Sequence, residues 1–162
     1  MNLVSTILLY GLVLTVLLLA MLLAIGLVNP RIMLQDYPKD IQAAVPPKTT
    51  AEKRQMLYWL GPLLVVALGC PTLAALSVKA ASTTFLELFL VAFGVIFLFN
   101  LIDWLILDWL IFCTLTPKFV VLPGTEGMAG YKNYWMHFHG FLIGTAISGA
   151  VGLIIAGIVG FL

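Results

Sequence analysis

The chain predicts an all-α integral membrane protein, an antiparallel bundle of four transmembrane helices, on three observations. Four apolar stretches occupy residues 3–28, 57–78, 85–107 and 138–161, and about 20 helical residues cross a hydrocarbon layer of about 30 Å. Only 9% of residues are charged and 62% are hydrophobic, whereas a soluble domain carries about 25% charged residues. The polar segments are short, so 162 residues leave room for a single domain, 1–162. A formal net charge of +1 gives no case for nucleic acid as a partner.

The first stretch is read as a retained helix and not a cleaved signal peptide. Met1-Asn2-Leu3 supplies no basic n-region, and the run exceeds an h-region of about 7–15 residues. Asn29-Pro30 ends it, because the residue before proline leaves helical geometry. The loop 29–56 is expected to be irregular through Pro38, Pro46 and Pro47, with Ile32, Met33, Leu34 and Tyr37 able to dip into the headgroup layer. Thr49-Thr50-Ala51-Glu52 fits a capping box that opens the second helix. Pro62 and Pro71 lie within that helix, and a proline frees a backbone carbonyl. Gly69-Cys70-Pro71 is therefore expected against a neighbouring helix.

Thr84-Phe85-Leu86-Glu87 is a second capping box, which makes Glu87 a cap at a terminus whose dipole favours negative charge. The third helix is expected to outrun the membrane, since Thr84 to Cys113 at 1.5 Å per residue spans about 45 Å. Its end carries a tandem repeat, Asp103-Trp104-Leu105-Ile106-Leu107 then Asp108-Trp109-Leu110-Ile111-Phe112. The loop 114–136 holds glycines at 124, 127 and 130. In the fourth span Gly140, Gly144, Ser148, Gly152, Ala156 and Gly160 recur every four residues. Small residues at that spacing let helix backbones approach closely in lipid.

Orientation follows from Lys and Arg. The loop 29–56 carries Arg31, Lys39, Lys48, Lys53 and Arg54, and the loop 114–136 carries Lys118 and Lys132, against Lys79 alone between the second and third spans. The positive-inside rule makes the two longer loops cytoplasmic and both termini external, in a cell inner or plasma membrane. Tyr58, Trp59, Trp104, Trp109, Tyr134 and Trp135 then fall in one interfacial aromatic belt. Cys70 and Cys113 have neither CxxC nor metal-ligand spacing and are expected as two free thiols.

The candidate chemistry gathers at the cytoplasmic face. Asp103, Asp108, His137 and His139 are the candidate catalytic residues, because ionisable groups at membrane depth are costly and a carboxylate beside an imidazole can move a proton or hold a divalent cation. No cofactor is predicted otherwise. On an ordinary α-helix, residues five apart such as Asp103 and Asp108 diverge by about 140°, and His137 and His139 converge only if that segment is extended. Asn100, which shares a face with Asp103, is a candidate binding residue, as are Lys118, Lys132, Gly124, Gly127 and Gly130. Those glycines could form a backbone nest for a phosphate headgroup, although a plain structured turn fits the spacing better. Of Asp103 and Asp108, Asp103 is expected to meet a histidine. The leading functional expectation is helix–helix association, as an accessory subunit or homo-oligomer, with membrane lipid and another membrane subunit or a second copy as partners. The alternatives are a small cytoplasm-facing enzyme or headgroup- or metal-binding protein, and then a channel or transporter.

Overall fold

The computed structural model describes residues 2–162. The described residues are all helical or irregular. Four helices are long and apolar enough to cross a membrane: α1 (Leu3–Val28), α3 (Thr50–Val78), α4 (Phe85–Ile102) continued by a π-helix (Asp103–Leu115), and α5 (Tyr134–Phe161). Both capping boxes form, with Thr49 and Glu52 opening α3, and Thr84 and Glu87 opening α4. Asn133 caps α5 by accepting from the Met136 N–H at 3.0 Å, so α5 starts four residues before the apolar stretch does.

The helices pack through small residues at two seams. Between α1 and α4, Gly11 lies under Leu98 and Gly94 under Ile7, where an added Cβ would come within 2.8 Å and 3.0 Å of the facing side chain. The α4–α5 seam uses the four-residue ridge of α5. A Cβ at Gly152 would meet the Phe93 backbone nitrogen at 3.1 Å, and Gly144 sits directly over the Asn100 amide. Ser148, Gly152 and Ala156 are buried. The ridge fades at its ends: Gly160 is only in ordinary contact with Leu88, and Gly140 faces open space. Gly140 therefore makes no such contact within the chain. Positions four apart advance by 400° on a helix of 3.6 residues per turn, so the ridge rotates about 40° per step and leaves a partner helix after a few turns. On α3, Pro71 is buried but Gly69 has nothing within 4 Å, so only part of the Gly69-Cys70-Pro71 turn packs inward.

The loop-bearing end differs most from expectation. Residues 30–44 are ordered: a 3₁₀ segment, Pro30–Asp36, and a short α2, Lys39–Ala44. Ile32, Leu34 and Tyr37 do not face outward toward headgroups but are buried. Leu34, Tyr37 and Ile41 join Phe112, Val120, Leu122 and Tyr131 in one apolar cluster. Neither loop is long enough to bury its apolar side chains alone, and docking the two together removes that surface from water. The Tyr37 hydroxyl fastens the contact by donating to the Val120 carbonyl at 2.8 Å. Burial pushes that phenol above its ordinary pKa, so it stays a donor. The first loop is tied to α3 by Arg31, whose Nε lies 2.7 Å from Glu52 and whose Nη2 donates to the Pro46 carbonyl at 2.9 Å.

Candidate functional site

The five-residue repeat sits on the π-helix, and this changes which residues share a face. In a π-helix each N–H bonds the carbonyl five residues back, so side chains five apart stack roughly one turn above each other. Trp104 and Trp109 confirm the period, with ring centroids 4.6 Å apart. The expected divergence of Asp103 and Asp108 is therefore corrected: the pair, followed by Cys113, forms one column along the helix. Such helices are usually single turns and often occur at functional sites; here the π-helix runs for 13 residues.

His137 meets this column from α5. Its Nδ1 donates to Asp108 Oδ1 at 2.9 Å, and the charges of Asp108 and His137 both reach Asp103. The expected Asp–His contact is present, but Asp108 makes it and not Asp103: the two share one column, and Asp108 is the member level with His137 near the start of α5. His137 also packs against Phe112, with ring centroids 5.0 Å apart. His139 is exposed and turned away. Met136 to His139 is helical and not extended, so the two imidazoles cannot converge. Three buried polar atoms at this seam have no partner: Asp103 Oδ1, Trp104 Nε1 and His137 Nε2. Buried polar groups are nearly always paired, so their concentration here sets this end apart.

Asp108 and His137 line a cavity of about 80 Å³. Its apolar walls come from Leu22 and Leu23 of α1, Met33, Leu107 and Ile111 of the π-helix, and Phe119; Asp36 completes the polar edge. One water needs about 10–15 Å³ on this measure, so the cavity suits several waters or a small apolar group. No group of three His, Cys, Asp or Glu among the described residues is placed to hold a metal ion. The Asp108–His137 pair puts hydrogen bonding and charge at one edge of a largely apolar chamber.

The other candidate residues have local partners. Asn100 donates its amide to the Phe141 carbonyl at 3.0 Å and to Thr145 Oγ1 at 3.1 Å, so it joins α4 to α5. Lys132 caps the π-helix, donating to the carbonyls of Cys113 at 2.6 Å and Thr114 at 3.0 Å and to Thr116 Oγ1 at 2.9 Å. Thr116 needs that support, because it turns the chain at φ 45°, a region side-chain-bearing residues seldom adopt. Gly124 and Gly127 take φ of 84° and 77°, Gly124 N–H donates to Glu126 at 3.2 Å, and Gly130 backs onto the Asp40 carboxylate. The glycine loop is a structured turn with carboxylates on it, and Lys118 is exposed beside it. Both cysteines are free.

Asp36 and the cavity walls escaped sequence reading. The usable signal was present: each loop carries apolar residues it cannot bury by itself, which points to loop–loop docking and hence to an enclosed space beneath. No known protein family, curated protein or solved structure matches this chain.

Proposed function

We propose that this protein is an antiparallel four-helix integral membrane protein of the cell inner or plasma membrane. Its termini are external, and its cytoplasmic end holds a binding site for a small amphiphile. One observation carries the reading: the Asp108–His137 pair, 2.9 Å apart, stands with Asp36 at the edge of a cavity whose walls between α1, the π-helix and both loops are apolar. Burying a polar pair beside an apolar hollow is costly unless it meets a partner, and small-molecule sites combine apolar walls with a few placed polar groups. In this setting the pair orients a ligand or passes a proton to it. Reconstituted wild-type protein should bind hexan-1-ol, a neutral probe, saturably by calorimetry, and Ile111→Trp, which fills the chamber, should abolish that binding. Absence of saturable binding to the wild type would remove the cavity reading. For the orientation, Lys118→Cys should be shielded from impermeant thiol reagents added outside and Ser82→Cys should react; the reverse pattern would invert the topology.

Association with another membrane subunit is the second reading, and a specific observation favours a particular surface for it. The middle of the α5 ridge, at Gly144 and Gly152, is engaged with α4, so it is not free for a partner. On α3, Gly61 and Gly69 have nothing within 4 Å, and Leu57, Leu64 and Val65 are exposed around them. A second helix could approach closely there. Gly61→Ile with Gly69→Ile should weaken a co-purifying complex or homo-oligomer while leaving the thermal midpoint of the isolated chain unchanged. An unaltered assembly state would remove this surface from consideration.

A further inference from the structure

The polar edge of the cavity has a sign. Asp36 and Asp108 contribute carboxylates and His137 a single imidazole, and no Lys or Arg is among the lining residues. The edge is therefore net negative whichever form the imidazole takes. The cations that pack nearest are held elsewhere. Lys48 donates to the Ile32 carbonyl at 3.0 Å and contacts Met56 sulfur at 3.3 Å, although its charge still reaches Asp36. Arg31 is paired with Glu52, and Lys132 caps the π-helix. His137 is only 7% exposed and its Nε2 has no partner, so the built part of the edge lies well inside the protein.

We infer that the cavity selects a small organic cation, an ammonium head on a short apolar body, over an anion or an inorganic metal ion. This rests on the proposal that the cavity is a ligand site. An ammonium brings donors to a carboxylate edge, and charge-assisted hydrogen bonds are about twice as strong as neutral ones. The walls of Leu22, Leu23, Met33, Ile111 and Phe119 then take the apolar body. An anion would meet Asp36 and Asp108 with like charge. A bare divalent cation would find at most two carboxylates and one imidazole beside an apolar wall, and these residues are not grouped to hold a metal ion, whereas such ions take six or more oxygen ligands or a tetrahedral set.

The test compares three probes of equal chain length, n-hexylammonium, hexan-1-ol and hexanoate, with Mn²⁺ as a fourth. Binding is measured by calorimetry on the full chain in neutral phosphatidylcholine nanodiscs. The expected result is hexylammonium tighter than hexan-1-ol by about tenfold, the equivalent of one such interaction, with no saturable hexanoate or Mn²⁺ binding. Asp108→Asn should bring ammonium and alcohol to parity while alcohol binding persists. If Asp108→Asn does not fold, Asp36→Asn, at an exposed position, should shrink the preference. Equal affinity for all three organic probes, lost in Ile111→Trp, would overturn the charge selection and leave the cavity site standing. Hexanoate binding best, or Mn²⁺ binding without ammonium binding, would also overturn it. No probe binding above the Ile111→Trp background would overturn both the selection and the cavity reading.

Discussion

The two halves of the third long helix differ in period, and each period suits its neighbours. From Phe85 to Ile102 the helix is α and buries Leu88, Val91, Ala92 and Val95. Glycines on the facing helices let its backbone approach, and Phe89, Phe93 and Phe97 stack along it with centroids 5.6 Å and 5.4 Å apart. From Asp103 to Leu115 it is π, and the five-residue repeat aligns Asp103, Asp108 and Cys113 on one side and Trp104 and Trp109 on another. The α half settles how closely helices approach; the π half settles which polar groups meet. A change of helical period inside one continuous helix thus converts a packing element into a site element.

The largest expected effect is on the π half. Asp108→Ala should leave His137 buried without its partner, and removing one member of a buried pair costs about 3 kcal/mol or more. Thermal unfolding in a mild detergent should show this as a marked loss, and Asp103→Ala should cost less because Asp103 has no histidine contact. Equal effects would mean that the His137 contact does not set Asp108 apart from Asp103. Next, on the α half, Gly152→Ile should cost about 1–3 kcal/mol by overpacking against the Phe93 backbone, whereas Gly140→Ile, into open space, should be tolerated. A smaller effect, about 1–2 kcal/mol, is expected from Lys132→Met, which unpairs the carbonyls at the π-helix end. Hydrogen exchange should then rise at residues 113–116 and not along α4. The smallest is Asn100→Ala at the junction of the halves. An interhelical hydrogen bond in a membrane averages about 0.6 kcal/mol, and a loss well above that would make Asn100 part of the polar column.

The loop end and the bundle were not equally legible from residues alone. Apolar length placed all four long helices, because a run of lipid-compatible side chains reports its state locally. The capping boxes at Thr49–Glu52 and Thr84–Glu87 were readable for the same reason: both partners lie within one helical turn. The ridge of α5 was visible as a pattern, but its partner was not. Only the tertiary packing shows that Gly144 and Gly152 face α4 inside the chain, and that Gly140 has rotated away.

The candidate site was half visible. Asp108 and His137 stood out as ionisable residues near the end of apolar spans, and their placement on consecutive long helices brought them together. What could not be read is whether residues five apart diverge, as on an α-helix, or align, as on a π-helix, and, once aligned, which of the two stands level with His137. The repeat Asp-Trp-Leu-Ile-Leu followed by Asp-Trp-Leu-Ile-Phe carried that period in its spacing.

What the sequence by itself determined about this protein are four helices able to cross a membrane, their caps, and the residues that bring charge to one end, all of which follow from composition and spacing within a few turns. The tertiary structure alone decided the docking of Tyr37 onto Val120, the enclosure of the cavity beneath the two loops, and the meeting of Asp108 with His137. These contacts join residues 29 to 83 positions apart, and at that separation the choice of partner belongs to the packing of the whole chain, not to any local preference.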